Sequence, residues 1–378
     1  MSNRTEIFEM SARTFAGLED LLAEELNNIG ARNIKLVNRA VAFEGDKSLL
    51  YRANLNLRTS TRILKPLEVF TVDNPRFLQK KVMDIDWSEY ITLMNTFDVD
   101  TVIKSRNFQN PKFVSQKIKD AIAEQFRKKT GKRPFGDAAN PTLKILAHIL
   151  DDQCTISLDS SGEQLNHRGY RQDFHDGMIN EVLCAGMIMT TGWDKQSCFI
   201  DPLCGNGSFL VESTMMANKI SPNLNRKDFA FKHWKDYDDS LFNKILEEEK
   251  KLRTEYRGHI WGSDIIPTSI VAARGNIKRA GFENKIEIGL KLFEKNKLES
   301  TTGLLILNTC ERDSASNKEL TSFYSTFNQK VKQQFSGFHK WVISSDKEFL
   351  TRYGLSSVKE VVFSVGQNKI YFNRIADI

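Results

Sequence analysis

The stretch that most constrains this chain is an apolar strand that ends in an acid and leads through two glycines into a helix. It reads Cys198-Phe-Ile-Asp201-Pro-Leu-Cys-Gly205-Asn-Gly207-Ser. Glycine lets the backbone approach a ligand closely, and the helix that opens at Ser208 presents N–H groups with no partner inside the helix. The next predicted strand, 258–264, also ends in an acid, Asp264. This pattern predicts a nucleotide-type site at the strand ends of an α/β fold.

The spacing of the glycines and acids separates two kinds of nucleotide ligand. A dinucleotide-binding turn carries a third glycine, where this chain has Leu210, and an acid about 20 residues later. Here the second acid is Asp264, which lies well beyond that distance and suits the two hydroxyls of a ribose, while Asp201 suits an ammonium group. The pattern therefore favours S-adenosylmethionine over NAD. The alternative that both acids only cap helices stays open from the sequence.

Strands alternate with helices through the C-terminal part of the chain, which predicts a doubly wound, mostly parallel sheet. A charged stretch at 221–257 interrupts the alternation, and we interpret it as an insertion that includes a helix. The predicted elements are helix 178–191, strand 197–201, helix 208–219, strand 258–264, helix 267–281, strand 285–290, strand 303–308, helix 318–334, strand 339–345 and a hairpin of 358–365 with 369–374.

The N-terminal part predicts smaller α+β units. Residues 5–57 have a β-α-β-β-α order that is typical of a ferredoxin-like unit, with the first strand predicted at 5–10 and the first helix predicted from Ala16. A second unit follows, with strands at 62–70, 97–104, 142–150 and 153–159 and helices at 75–82 and 111–129. We therefore expect three domains, at 1–58, 59–162 and 166–378.

Ten of the residues between 101 and 133 are basic, and only Asp120 and Glu124 oppose them. Such a density is typical of a surface that binds a nucleic-acid backbone, although a solvated helix face is the plain alternative. Phe108 and Phe113 lie among these residues and are candidates for stacking on unpaired bases, with core packing as the alternative. The candidate RNA-binding residues are Lys104, Arg106, Lys112, Lys117, Arg127, Lys128, Lys132 and Arg133.

Composition restricts the kinds of site that the protein can have and the compartment in which it can work. Its five cysteines include no Cys-x-x-Cys pair and its six histidines show no metal-ligand spacing, so we expect neither a disulfide framework nor a metal site. The first residues lack an apolar signal segment, and no apolar run is long enough to span a bilayer. These features predict a protein of the reducing cytoplasm.

Several motifs together resemble the THUMP-domain class I RNA methyltransferases of bacteria. The most similar type is the 23S rRNA guanine-N2 methyltransferase, and some members of the family carry the name N6-adenine-specific DNA methylase. The resemblance covers nearly the whole chain. It rests on His167-Arg-Gly-Tyr-Arg171 as the hinge into the catalytic domain, on 201–212 as the cofactor loop, on Gly262-Ser-Asp264 as the ribose-binding strand end, and on 220–226 and 229–234 in the insertion.

The resemblance implies a fold, a cofactor and a partner. The fold is α/β: an N-terminal α+β ferredoxin-like and THUMP unit, followed by a Rossmann-like doubly wound methyltransferase domain. The cofactor is S-adenosylmethionine, and the partner is structured RNA, in particular 23S rRNA. The residues expected to bind the cofactor are Asp201, Gly205, Gly207, Asp264 and Ile265.

The chain departs from the family at its catalytic tetrapeptide, Asn-Pro-Pro-Tyr. In the family, the Asn aligns the exocyclic amine of a flipped base and the ring stacks on that base. Here strand 303–308 ends in Asn308-Thr-Cys-Glu311-Arg312, so Asn308 remains the candidate catalytic residue but the prolines and the ring are missing. Phe323 and Tyr324 are candidates to replace the ring.

Two further departures lie at the end of the third strand and in the helix after the hinge. Lys291 stands where family members place an Asp near the adenine, and Met178-Ile-Asn-Glu181 stands where they carry Pro-Leu-x-Glu. We expect an RNA methyltransferase, acting on guanine N2 of large-subunit rRNA with weakened catalysis. The alternatives are a catalytically inactive RNA-binding protein that serves ribosome assembly and, less favoured, a DNA adenine-N6 methylase.

Overall fold

The structure, a computed structural model, describes residues 6–136, 141–172, 179–290, 301–309, 324 and 335–376. Two mixed sheets organise these residues, an eight-stranded sheet in the N-terminal part and a seven-stranded sheet in the C-terminal part. Several predicted features lie outside the described residues: most of helix 318–334, together with Met178, Lys291, Cys310, Glu311, Arg312 and Phe323.

The N-terminal sheet joins both predicted small units through one strand, β4. Residues Arg62 to Leu64 of β4 pair with β1, and Leu64 to Thr71 pair with β8, so the sheet order is β2-β3-β1-β4-β8-β7-β5-β6. The elements are β1 Phe8–Arg13, α1 Glu19–Asn28, β2 Arg32–Val37, β3 Ala40–Gly45, α2 Lys47–Asn56, β4 Arg62–Thr71, α3 Pro75–Asp84, β5 Thr96–Lys104, α4 Pro111–Thr130, β6 Phe135–Gly136, β7 Leu143–Leu150 and β8 Gln153–Asp159.

Helices α3 and α4 begin at the same edge of this sheet, where edge means the line along which the ends of its strands lie. Strand β8 runs antiparallel to both β4 and β7, and β5 runs parallel to β7, so β4, β5 and β7 all end at one edge. Because α3 follows β4 and α4 follows β5, both helices start at that edge and run back along the sheet side by side. The chain leaves for the C-terminal sheet from the opposite edge, at the end of β8.

The C-terminal sheet confirms the predicted doubly wound fold. Its order is β11-β10-β9-β12-β13-β15-β14, in which β11 through β13 are parallel and β15 is antiparallel to β13. The elements are α5 Glu181–Thr190, β9 Cys198–Asp201, α6 Ser208–Ala217, α7 Asp239–Lys251, β10 Ile260–Asp264, α8 Pro267–Ala280, β11 Ile286–Leu290, β12 Gly303–Asn308, β13 Phe338–Ser344, a short helix Phe349–Arg352, β14 Ser357–Val365 and β15 Asn368–Ile375.

The predicted insertion between α6 and β10 contains helix α7 and packs back onto the N-terminal part. Phe231 stacks on Tyr51 of α2 with ring centroids 4.6 Å apart, and Phe242 of α7 meets the same tyrosine edge-on at 5.5 Å. The Asn223 side chain donates a hydrogen bond to the Asn54 carbonyl at 3.0 Å. The insertion therefore completes the apolar core of the N-terminal sheet although it belongs to the C-terminal half of the sequence.

Among the described residues, no helix is both long enough and apolar enough to cross a membrane.

Candidate functional site

The predicted site residues converge at the carboxyl ends of three neighbouring strands. Asp201 ends β9, Asp264 ends β10 and Asn308 ends β12, and β9 lies between the other two strands. All three side chains are buried. After β9 the chain adds β10 and β11 on one side of that strand, and it then crosses back to add β12 on the other side. The direction in which strands are added therefore reverses between β9 and β12. Open α/β sheets bind their ligands at this switch point.

The Asp264 carboxylate ties together the loops that follow β9 and β10. It accepts hydrogen bonds from the Gly205 N–H at 2.9 Å and from the Ile266 N–H at 2.9 Å. The Cys204 N–H donates to the Ser263 carbonyl at 2.9 Å and links the same two loops through the backbone. The turn is thus held in a defined shape before any ligand contacts it.

Neither acid occupies the N-cap position of the helix that follows it. The N-cap positions of α6 and α8 are Gly207 and Ile266, and neither helix has a side-chain cap. Asp201 instead accepts a hydrogen bond from the Leu203 N–H within its own loop, at 3.3 Å. A buried carboxylate at a strand end is costly unless it orders a loop or meets a ligand cation.

Gly207 is required at its position for two reasons. Its φ is +79°, in the left-handed region, and a Cβ built there would lie 3.2 Å from the Ala273 Cβ of α8. Gly205 also has a positive φ, +51°. The fifth predicted cofactor residue, Ile265, is buried in an apolar cluster that includes Leu203 and Leu307.

Replacing Gly207 with alanine is expected to weaken cofactor binding as well as stability. A left-handed backbone costs a residue with a Cβ about 1–2 kcal/mol, and here the added methyl group also displaces α8 from the turn. Gly281→Ala is the matched control, because Gly281 has a φ of +76° with nothing within 4 Å of a Cβ. Denaturant unfolding and cofactor titration of both variants check this: both lose stability, but only Gly207→Ala loses affinity. Equal affinities would contradict it.

Thr309, directly after the end of β12, stays bonded to the neighbouring strand β13. The Thr309 N–H and hydroxyl both donate to the Ile343 carbonyl of β13, at 2.9 Å and 2.8 Å. A proline at this position has no N–H and cannot make the first of these bonds. Tyr324, one of the two candidates for the missing stacking ring, is buried and packs against Phe349 and Tyr353.

A buried ionic network at the hinge joins two motifs that the sequence places far apart. The Arg168 Nε lies 2.8 Å from Glu212 Oε1 of α6, and both side chains are fully buried. The Tyr170 hydroxyl donates to the same carboxylate oxygen at 3.1 Å, and burial raises the pKa of Tyr170, so this donor stays protonated. Arg168 Nη2 also donates to the Arg58 carbonyl of the N-terminal part at 2.7 Å. Sequence reasoning missed this network, although its members lie in the quoted motifs.

The predicted basic surface divides into two clusters. Helix α4 has 20 residues, and at about 1.5 Å per residue it separates its two ends by roughly 30 Å. Arg127 and Arg133 lie 2.7 Å and 3.9 Å from Glu124, their shared partner. The members at the end of α4 are Arg127, Lys128, Lys132 and Arg133, and those at its start are Lys104, Arg106, Lys112 and Lys117. The four at the start form no ion pair within the part of the chain that the structure describes.

The two candidate stacking rings have different environments. Phe108 is 3% exposed and belongs to the core, so core packing was the right alternative for it. Phe113 is 46% exposed in the first turn of α4.

A cleft of about 730 Å³ lies at the hinge, away from the strand ends. Its walls include Gly169, Met215 near the end of α6 and Arg279 at the end of α8, so it opens at the opposite edge of the C-terminal sheet from Asp201. Arg226 of the insertion closes one side by donating to the carbonyls of Ser161, Glu163 and Gln164. The cleft is thus a feature of the junction and not of the predicted cofactor turn.

The sheet order, the glycine turn and the paired strand-end acids define a Rossmann-like methyltransferase domain. The chain belongs to the family described as RMKL-like, methyltransferase domain, whose profile matches residues 168–370. Two further family profiles match the N-terminal part, a THUMP domain over residues 76–159 and an RlmL ferredoxin-like domain over residues 9–64.

Similar proteins carry the names of RNA methyltransferases. A Synechocystis protein described as a candidate RNA methyltransferase is 32% identical over 341 residues, which cover 90% of this chain and 89% of that protein. The ribosomal RNA large subunit methyltransferase K/L of Pseudomonas aeruginosa is 30% identical over 370 residues, which cover 95% of this chain and 51% of that protein. The chain therefore spans about half the length of its K/L relatives.

Solved structures share the whole architecture. SMU.472, described as a candidate methyltransferase and complexed with SAH, superposes with a TM-score of 0.87 at 25% identity and covers 98% of each chain. A methylase candidate from Clostridium difficile superposes with the same TM-score, identity and coverage.

Proposed function

We propose that the chain is an S-adenosylmethionine-dependent RNA methyltransferase that modifies guanine N2 of 23S rRNA. The observation that carries this proposal is the meeting of Asp201, Asp264 and Asn308 at one switch point, in a chain that also has a THUMP domain. The names of the K/L relatives support large-subunit rRNA as the substrate. The SAH in the structure of SMU.472 supports the cofactor, since SAH is S-adenosylmethionine without its methyl group.

The residues at the strand ends fit this cofactor. When bound, S-adenosylmethionine supplies an electrophilic methyl group. The Asp201 carboxylate is suited to the ammonium of its methionine part, because a buried acid gains most from a cationic partner. The glycines at 205 and 207 leave room for the ligand beside the backbone. Asp264, fixed by two backbone N–H groups, is suited to accept hydrogen bonds from the ribose hydroxyls.

Asn308 is the residue that we assign to the substrate base. Its side-chain oxygen accepts a hydrogen bond from the exocyclic amine and turns the nitrogen lone pair toward the methyl group. Asn308 is buried at the end of β12, next to Thr309, whose bonds to Ile343 hold the backbone in place. Transfer would form the N–CH3 bond as the S–CH3 bond of the cofactor breaks, and the amine would then release one proton to water. Asn308 has no ionisable group, so its part in this reaction would be to position the amine.

An Asn308→Ala variant is expected to lose methyl transfer by about a hundredfold or more, since misplacement of a reacting group costs that much. The assay measures methyl incorporation from labelled S-adenosylmethionine into large-subunit rRNA isolated from cells that lack the protein. Asn243→Ala is the matched control, because Asn243 is exposed on helix α7, where its side chain donates to Asp239, and this variant should retain transfer. Both variants should bind cofactor and RNA as the unaltered protein does.

The outcomes of this assay separate the proposal from its alternatives. Mass spectrometry of the modified nucleoside identifies N2-methylguanosine if the proposal is right and N6-methyladenosine if the DNA-methylase chemistry applies. Cofactor and RNA binding with no transfer by the unaltered protein would support the inactive RNA-binding alternative. Equal transfer by Asn308→Ala would remove Asn308 from the mechanism.

A further inference from the structure

Helices α3 and α4 begin with the same surface motif. One reads Asn74-Pro-Arg-Phe77 and the other Asn110-Pro-Lys-Phe113, and each asparagine side chain accepts a hydrogen bond from the phenylalanine N–H, at 2.9 Å and 3.1 Å. In both helices the residue after the phenylalanine, Leu78 or Val114, is buried. The two helices therefore present equivalent first turns with the phenylalanine directed outward.

The ammonium group of a lysine in the next helical turn lies over each phenylalanine ring. Phe77 is 37% exposed with Lys81 Nζ 5.7 Å from its centroid, and Phe113 is 46% exposed with Lys117 Nζ 5.6 Å from its centroid. A single exposed apolar side chain is ordinary in a soluble protein. Two rings in the same position of neighbouring helices, each beside a cation, form a repeated surface feature that core packing does not explain.

Both rings lie at the edge of the N-terminal sheet where β4 and β5 end. This edge also holds the first basic cluster, Lys104, Arg106, Lys112 and Lys117, and α3 adds exposed Arg76 and Lys80. None of these cations has a carboxylate partner within the described ranges. Asp73, Asp151 and Asp152 also lie at this edge, but none of them forms an ion pair with these cations in the described chain, and the edge therefore combines flat apolar rings with a net positive charge.

We propose that this edge, the Phe77–Phe113 platform, binds unpaired RNA nucleotides by stacking bases on its two rings while the surrounding cations hold the phosphates. The proposal rests on the proposed function, since it assigns the surface where the RNA substrate is held. Aromatic rings interleaved with Lys and Arg are the chemistry that binds single strands without reading sequence. An apolar protein partner would leave the six cations without a role.

Seven residues of β8 separate this edge from the hinge, which at about 3.3 Å per residue is roughly 23 Å. We assign to the platform a part of the RNA other than the target base, which is assigned to Asn308.

The test compares Phe77→Leu, Phe113→Leu and the double variant with the unaltered full-length protein. The probes are a mixed-sequence 12-nucleotide RNA strand, its blunt duplex, and the duplex with a four-nucleotide overhang, with affinity measured by fluorescence anisotropy. Each ring should contribute roughly five- to a hundredfold to binding of the strand and the overhang, and little to the blunt duplex. Leucine keeps the apolar character, so a loss reports the flat ring.

The salt dependence of the RNA affinity distinguishes phosphate binding by the cations from base stacking by the rings. Lys112→Ala should lower the slope of log affinity against log salt by about 0.7, whereas Phe113→Leu should weaken binding with the slope unchanged. Leu150→Ala is the matched control, because Leu150 is 44% exposed at the end of β7 on the same edge and has no ring. It should bind all three probes as the unaltered protein does.

Each of the other outcomes contradicts a specific part of the proposal. Unchanged strand affinity in the double variant, with RNA still bound, would exclude the platform and leave the proposed methyltransferase intact. Equal losses on strand and blunt duplex would show backbone binding without stacking. A loss of the same size in Leu150→Ala would show that general apolar contact at this edge, and not the flat rings, carries the binding. If the unaltered protein binds none of the probes, the platform is excluded, while methyl incorporation into large-subunit rRNA tests the proposed function separately.

Discussion

Replacing Asp201 with alanine is expected to abolish saturable binding of S-adenosylmethionine in a calorimetric titration. Asp201 is fully buried at the end of the central strand β9, where it is suited to face the ligand's ammonium group. Removing one partner of a buried charge pair costs about 2–5 kcal/mol, which is on the order of a hundredfold or more in affinity. This variant tests the cofactor site without reference to any RNA.

Two further variants make the Asp201 result interpretable. Asp201→Asn keeps the side-chain shape and removes only the charge, so it should also lose binding if the ammonium contact is the reason. Asp194→Ala removes an acid that bonds only to residues 196 and 197 of an exposed turn before β9, and it should bind the cofactor normally. Binding by Asp201→Ala at the affinity of the unaltered protein would contradict the assignment.

Replacing Arg168 with alanine should lower the free energy of unfolding by about 3–5 kcal/mol, because it leaves a buried carboxylate uncompensated. That carboxylate belongs to Glu212, and both side chains of the pair are fully buried. The matched control is Arg352→Ala. Arg352 pairs with Asp346 at 2.6 Å but is half exposed, and such surface pairs contribute about 0–1 kcal/mol. Denaturant unfolding measures both variants.

A second change at the hinge separates charge burial from packing. The double variant Arg168→Met with Glu212→Leu removes both charges and keeps much of the volume, so it should recover most of the lost stability. If the double variant is as unstable as Arg168→Ala, packing and the Arg168 bond to the Arg58 carbonyl would be the larger contributions.

Strands bounded by clear sequence signals were predictable from the chain alone. The apolar run between Gly303 and Asn308 has the bounds of β12, because every residue of this central strand is buried and its limits are polar or glycine. The first strand was predicted too early, at 5–10, whereas β1 is Phe8–Arg13. Its position depends on pairing with β3 and β4, which no local pattern encodes.

Contacts between distant parts of the sequence were not predictable. The helix predicted from Ala16 begins only at Glu19, since Ala16 makes an isolated bridge to Ser364 and Gly17 has a φ of +95°. The basic residues between 101 and 133 were predicted to form one surface, because distance along the sequence does not show that helix α4 separates its two ends. Asp201, Asp264 and Asn308 were found together because strand ends meet by topology, whereas the Arg168–Glu212 pair depends on side-chain packing at the hinge.

The insertion has a consequence for how the protein is made. Tyr51 in the N-terminal core packs against Phe231 and Phe242, which follow about 180 residues later in the chain. At ribosomal rates of about 5–20 residues per second, Tyr51 emerges roughly 10–40 s before the aromatic side chains that cover it. During that interval the nascent chain displays an uncovered apolar face, and this is when it most needs protection from aggregation.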